Sequence, residues 1–555
     1  MTLGRSPTEE DLFRTSTEFC RERVQAGSIY GLLHREGYRL FPDEAFADLF
    51  KDIGRASVPP RIVAVVMVLQ RLEGLSDREA VDRFTFDLRW KYAAGGLDYD
   101  HPGFVHTVLV DMRARLRRSM RPNRIFETAL EVAREAGLVG RTRVLDSTPL
   151  YDAVATQDTV TLIRSAIRGV LQACEDDQAS ELRKCLRRED DYSMAGKPVC
   201  DWDDAPAREV LLDALARDAY AILAQLDDRT VSAELQQAAR LLATVVGQDI
   251  EQRADGVFRI LRGVAKDRVI STVDSEARHG HKTAARGFDG YKGHVAVDPE
   301  SEIITATEVT PGNVADGDAA ESLLADVLAE KLSATPSEVE TAKAAAEGRA
   351  NEENPAEKTS EATSAQPSEP AYEIYGDASY GTANLVETIE GVGAKAHVKV
   401  QAPVAPDGRF SKDAFAIDLG AQTVCCPAGA LVHIRKAADG GGLAAFGVRC
   451  ATCPQRSQCT ANKEGRTIRI HPQEATLHRK RAEQKSPEWK SNYRQTRPKV
   501  ERKLAHLMFR RHGGRRARMR GCLRIRHDFA LLSAAQNLRR LASLGVRYNN
   551  GAWTA

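Results

Sequence analysis

The sequence predicts an α/β fold, a mixed sheet flanked by helices, with an all-α unit ahead of it. Three observations carry this. Short β-branched or alternating runs occur at 141–150, 290–313, 371–377 and 394–401. Helical periodicity separates the later runs from one another. The first 125 residues hold helix signals and no strand pattern.

Taken in order, residues 1–125 read as a helical, DNA-binding unit. Its clearest stretch, "PPRIVAVVMVLQRLEGLSDREAVDRF", opens on Pro59 and Pro60, and Ser76 with Glu79 forms a capping box for a second helix. Two helices around a Gly-containing turn suit a helix-turn-helix, though many helical hairpins bind no DNA. Residues 126–152 hold the first core strand, "RTRVLDSTPL", which delivers Asp146 at its end. A helical insertion follows at 153–266. Core segment 267–332 contains a hairpin around the turn "DPES" and then an amphipathic helix with acidic residues in its first turn. Residues 333–370 carry Ala, Glu, Ser, Thr and Pro, no aromatic, and 3 Lys/Arg against 8 Asp/Glu, so a disordered insertion is expected. Segment 371–403 supplies a strand ending at Asp377, a helix and another strand. A cysteine-rich module spans 404–470, and a basic helical end of the core spans 471–548. Set together, the core elements run strand, strand, strand, helix, strand, helix, strand, helix.

The formal charge of +1 hides a strong asymmetry. Residues 479–547 contain 21 Lys/Arg against 4 Asp/Glu. So lopsided a tract points to a polyanionic partner more than to a merely solvated face, because Lys and Arg displace condensed counterions from phosphate. No run of about 18 apolar residues exists, and "MTLGRSPTEEDLFRT" reads as neither signal peptide nor anchor, so a cytoplasmic protein with no membrane partner is expected. Five of the ten cysteines fall within 425–459, a clustering that suits metal better than bridges.

Asp146 and Asp377 each follow a strand, where open α/β sheets place ligands. Glu501 is the single acid in "RPKVERKLAHLMFRRHGGRRARMRG" (497–521). Carboxylates are ligands for hard cations such as Mg2+ and Mn2+. Three of them can hold two ions about 3.5–4 Å apart for in-line phosphoryl transfer. A lone Asp after a strand is more often a turn residue, and Glu501 could instead pair with Arg497 or Lys503 on a solvated helix.

The chain resembles bacterial insertion-sequence transposases of the DDE type. The likeness is strongest at "VLDSTPLYDAVATQDTV", "VDSEARHGHKTAARGFDGYKGHVAVD", "YGDASYGTANL", "VERKLAHLMFRRHGGRRARMRG" and "LLSAAQNLRRLA". It implies a ribonuclease-H-like core, with Asp146, Asp377 and Glu501 as catalytic carboxylates for two Mg2+ or Mn2+ ions. It also implies double-stranded DNA as substrate, both the element's terminal inverted repeats and the target, and a homodimer that pairs the ends. The family pattern places a Tyr and an Arg before the glutamate, here Tyr493 and Arg497. Met508 stands where a Lys is common, with Arg510 and Arg511 as substitutes. Arg515 and Arg516 extend the expected grip on the DNA backbone. From the residues themselves, Lys282 and Lys292 are candidates for positioning phosphate, and exposed strand-edge charge is the equally weighted alternative.

A DNA-binding regulator without catalysis and a metal-dependent nuclease on the same fold are the competing functions. In the cysteine module, Cys426, Cys450, Cys453 and Cys459 give the four thiolates of a zinc-ribbon-like structural Zn2+ site, against a reduced cluster without metal. Metal analysis of the purified chain is expected to give near one zinc per chain; a value near none would leave four free thiols.

Overall fold

Alternation along one strand decides which face of the sheet carries the chemistry. In β1 (Thr142–Tyr151), Val144 joins the apolar cluster beneath the C-terminal helices and Leu145 joins the cluster on the opposite face. The computed structural model describes all residues except 6–14, 153–155, 191, 228, 284–285, 334–370 and 405. The acidic segment expected to be a disordered insertion therefore lies outside the described residues, apart from Ser333.

The sheet has six strands: β1, β2 (Arg278–Thr283), β3 (Arg286–Val297), β4 (Ile304–Pro311), β5 (Glu373–Gly376) and β6 (Lys395–Val398). Its order is β2-β3-β1-β5-β6, with β4 also pairing β3. β3 runs antiparallel to β1 from Val144↔Val297 to Tyr151↔Gly290, while β5 runs parallel to β1 only from Thr142↔Glu373 to Val144↔Tyr375. The sheet is thus mixed, as expected. Two details differ from expectation. Asp146 sits in the middle of β1, because β3 keeps pairing with β1 beyond the point where β5 stops. β2 is a full strand, although "RHGHKT" lacks apolar alternation; as the outer partner of β3 it buries little.

One face is covered by Ala320–Leu323, Ala325–Ser333 and α5 (Ala383–Gly391), against Leu145, Ala296 and Ile374. The other face is covered by α6 (Pro487–Leu507) and α7 (Cys522–Ser543). Their Val500, Phe529 and Leu532 share one core with Val144, Val295 and the N-terminal helices. Among those, α1 (Pro60–Glu73) is buried along nearly its whole length, and the capping box of Ser76 and Glu79 opens α2 (Asp77–Phe86). Further on, α3 (Thr107–Arg118) and α4 (Arg124–Glu135) follow, α4 spanning residue 125. The stretch 153–266 has its own core of helices. It also forms a small hairpin of Ile250–Gln252 with Phe258–Ile260, where only helix was expected. Among the described residues, no helix is long and apolar enough to cross a membrane.

The arginine-rich loop between α6 and α7 is fastened to the turn between α1 and α2. His512 Nδ1 meets the Leu72 carbonyl, Arg71 donates to the His512 carbonyl, and Arg518 donates to the Leu75 carbonyl. Gly74 makes the fit possible: its φ is 69°, and a Cβ there would lie 2.3 Å from the Arg511 carbonyl oxygen. Gly137 has nearly the same φ, 68°, with nothing within 4 Å of its Cβ position. Gly137→Ala is therefore expected to cost about 1 kcal/mol from backbone strain alone. Gly74→Ala should cost about 2–3 kcal/mol, with the two urea-unfolding midpoints giving the comparison.

Candidate functional site

Asp146 and Asp377 meet because of strand register. The parallel ladder pairs Val144 with Tyr375, so two residues further along both chains Asp146 stands beside Asp377, the residue that follows β5. Both share the face of Val144 and Tyr375, which is the face covered by α6. Asp146 is 9 % exposed and accepts the Ser147 N–H at 2.8 Å. Asp377 accepts the Ser379 N–H at 2.9 Å in the turn after β5.

Helix α6 supplies the rest of the site. Trp489, Tyr493, Arg497 and Glu501 recur every four residues and so share one helix face. Trp489 stacks on Tyr493 with ring centroids 4.7 Å apart, and the Tyr493 hydroxyl donates to the Gly376 carbonyl at 3.2 Å, behind the site. Arg497 Nη2 lies 2.9 Å from Asp146 Oδ1 and 3.8 Å from Asp377 Oδ2, and its Nη1 lies 3.6 Å from Glu501 Oε1. One buried guanidinium therefore joins all three predicted carboxylates. Burial pushes the Asp146 carboxyl above the ordinary carboxylate range, Arg497 opposes this, and the neighbouring Asp377 adds to it. Burial disfavours charge on Arg497, yet Asp146, followed by Tyr493 and Asp377, holds it above the usual arginine value.

The three carboxylates and Arg497, though not Tyr493 or Trp489, line an open cavity of about 580 Å³ together with Lys282, Lys292, Asp316 and Arg515. Lys282 is exposed at its rim. Lys292 is not the exposed edge charge that was its alternative: β3 is an interior strand, and the ammonium is bonded to Asp316 and the Val314 carbonyl, each at 2.8 Å. Asp316, in sequence only a helix-start acid, is buried, accepts the Ser147 hydroxyl at 2.6 Å, and is a fourth carboxylate of the cavity. Nothing in its sequence context marks it for this place, since its partners lie 24 and 169 residues away. Beside this pair, His294 bridges Thr310 at 2.9 Å and the Tyr380 hydroxyl at 3.1 Å, and burial pushes it down to about 4, so it is neutral.

Other expected residues stand elsewhere. Arg510, Arg511 and Arg516 are exposed and do not line the cavity; Arg511 comes within 3.9 Å of Glu73. Met508 caps α6 and packs on the main core, so neither it nor its expected substitutes enter the site.

The four cysteines Cys426, Cys450, Cys453 and Cys459 line a second cavity of about 240 Å³. Backbone N–H groups of Ala430 and Arg466 donate to the Cys426 and Cys450 sulfurs at 3.3 and 3.4 Å. Burial raises the Cys459 thiol and the other three thiols add to that, with Arg466 opposing. Among the described residues, no three Asp, Glu, His or Cys side chains stand close enough together to hold an ion as placed. At the carboxylate site Arg497 stands between them, a cation where hard oxygen donors converge. In kind the donor set fits Mg2+ or Mn2+, and the thiols fit Zn2+.

Residues 425–542 match a family model described as "Transposase DDE domain", and residues 253–335 match a second model of the same description. Residues 33–115 match a model described as "Transposase domain (DUF772)". Glu501, Lys292 and Asp316 fall inside these segments; Asp146 and Asp377 fall outside them. No curated protein and no solved structure matches the chain.

Removing Asp316 would leave the Lys292 ammonium buried without its counter-ion. Asp316→Ala is expected to destabilise the chain by about 3 kcal/mol, and the double variant Asp316→Ala/Lys292→Met by markedly less. Denaturant titration of both checks it.

Proposed function

We propose that this chain, an insertion-sequence transposase of the DDE type by its three matching segments, nicks DNA at the ends of its element and joins the freed 3′-hydroxyls to target DNA. The observation that carries the reading is the convergence of Asp146, Asp377 and Glu501 on Arg497 in one cavity. The strand order, in which β1 pairs antiparallel with β3, β4 flanks β3 on its far side beside the extra strand β2, and β5 and β6 follow in parallel, supports a ribonuclease-H-like core.

Asp146 and Asp377 form the fixed floor of the site, and Glu501, its side chain 65 % exposed, stands at the mouth. Two bound Mg2+ or Mn2+ ions would supply activation of the attacking oxygen and stabilisation of the leaving one. Arg497 has donors to spare: its Nε and Nη1 are buried without a hydrogen-bond partner, which suits the non-bridging oxygens of a scissile phosphate. Lys282 and Arg515 at the cavity wall would hold the strand on either side. The attacking groups are water and then the 3′-hydroxyl, in line, with no covalent protein–DNA bond. Ser147, the hydroxyl next to Asp146, is bonded to Asp316, in keeping with that. Lys292 acts through Asp316 rather than on phosphate directly. The cysteine cluster is read as a structural zinc site, the acting form as a homodimer pairing two ends, and the setting as the bacterial cytoplasm.

Incubating the protein with a labelled element end, target DNA and Mg2+ separates the readings. Strand transfer is expected; binding alone would favour a regulator, and cutting without joining a nuclease. Asp146→Asn, Asp377→Asn and Glu501→Gln should each lower nicking and joining by about 10³-fold while DNA binding persists; joining at wild-type rate by any of them would sink the assignment.

A further inference from the structure

The catalytic cavity accounts for Arg515 and the fastening to the Gly74 turn for Arg518, which leaves Arg516 and Arg520 of the arginine-rich loop with no role. Followed onward, the chain runs from Arg515 at the cavity through exposed Arg516 and Arg520 to Arg524 in the first turn of α7. There it meets α3. Arg117 of α3 and Arg524 of α7 line one crease with the apolar Met67, Leu116 and Phe126, near enough for each charge to act on the other. Among the described residues, Arg117, Arg118, Arg520 and Arg524 make no ion pair with any acid. The nearby acids are already engaged, Asp77 by Arg113 and Asp528 by Arg71. The charges acting on Arg117 are all arginines: Arg524, Arg113 and Arg118. Like charges gathered without counter-ions repel one another, and the fold keeps them together because helix packing beneath them is buried and the loop is fastened at Gly74.

We infer that this crease is a second DNA-contact surface, built jointly by α3 and the start of α7, which grips duplex DNA beyond the stretch held in the catalytic cavity. The inference rests on the transposase reading. Duplex is favoured over single strand because the crease offers guanidinium groups and no exposed aromatic ring; Phe126 is buried. The guanidinium groups meet phosphate, so they set grip and register and carry no sequence preference.

The test measures binding of the full-length protein to labelled duplexes of two unrelated sequences, by anisotropy over a range of NaCl. Arg117→Ala/Arg118→Ala/Arg524→Ala is expected to weaken binding to both duplexes about tenfold or more. The slope of log affinity against log salt should shrink by about 0.9 for each phosphate that the variant no longer neutralises. The matching triple Lys variant should restore most of that slope, which a merely misfolded triple Ala variant would not explain. An unchanged slope in the triple Ala variant, with wild-type DNA binding intact, overturns this surface and leaves the transposase reading standing. If the wild-type chain binds neither duplex at any salt concentration, the transposase reading falls and the surface with it.

Discussion

The Arg497 guanidinium is the interaction on which the site depends. Parallel register forces Asp146 and Asp377 side by side on one face, where a buried and a half-buried carboxylate would repel and drive protons onto themselves. A buried arginine is equally unfavourable alone. Each makes the other tolerable, and the pairing ties α6 to the centre of the sheet. Once α6 is anchored there by Arg497 and by the Tyr493 bond to Gly376, helical spacing alone carries Glu501 to the cavity mouth.

Behind the carboxylates, the groups become more buried and more fully bonded. Glu501 projects into solvent, whereas Asp146 is fixed by its own strand, and Lys292, Asp316 and Ser147 lock together beneath it. The neutral His294 continues that network to Tyr380 without adding charge.

The N-terminal helices do not stand apart from this chemistry. The apolar core is continuous from Ile29 to Trp553, and the loop that follows α6 is held against the Gly74 turn. The same fastened loop carries Arg515 to the cavity. The candidate helix-turn-helix thus has its turn covered by the protein's own basic loop, and α3 rather than the turn presents unpaired arginines.

Much of the sheet could be read from the chain, because alternation and capping boxes are local patterns, and the three carboxylates stood out there as candidates; their convergence on Arg497 did not. The mixed sheet, the Ser76 cap and the placing of Asp377 after its strand came from residues within a few positions of one another. What the chain alone did not reveal depends on partners far away in sequence. Asp316 looked like any helix-start acid until β3 and β1 brought Lys292 and Ser147 to it. Lys292 could be read equally as a phosphate contact or an exposed edge charge, and strand pairing, not composition, makes β3 interior and gives it Asp316. Arg510, Arg511, Arg515 and Arg516 are chemically alike, and only the path of a pinned loop sends Arg515 to the cavity and leaves the others outside. Sequence determined which groups could carry charge; tertiary structure decided which charges meet, because electrostatic pairing acts over a few ångströms of space and takes no account of separation along the chain.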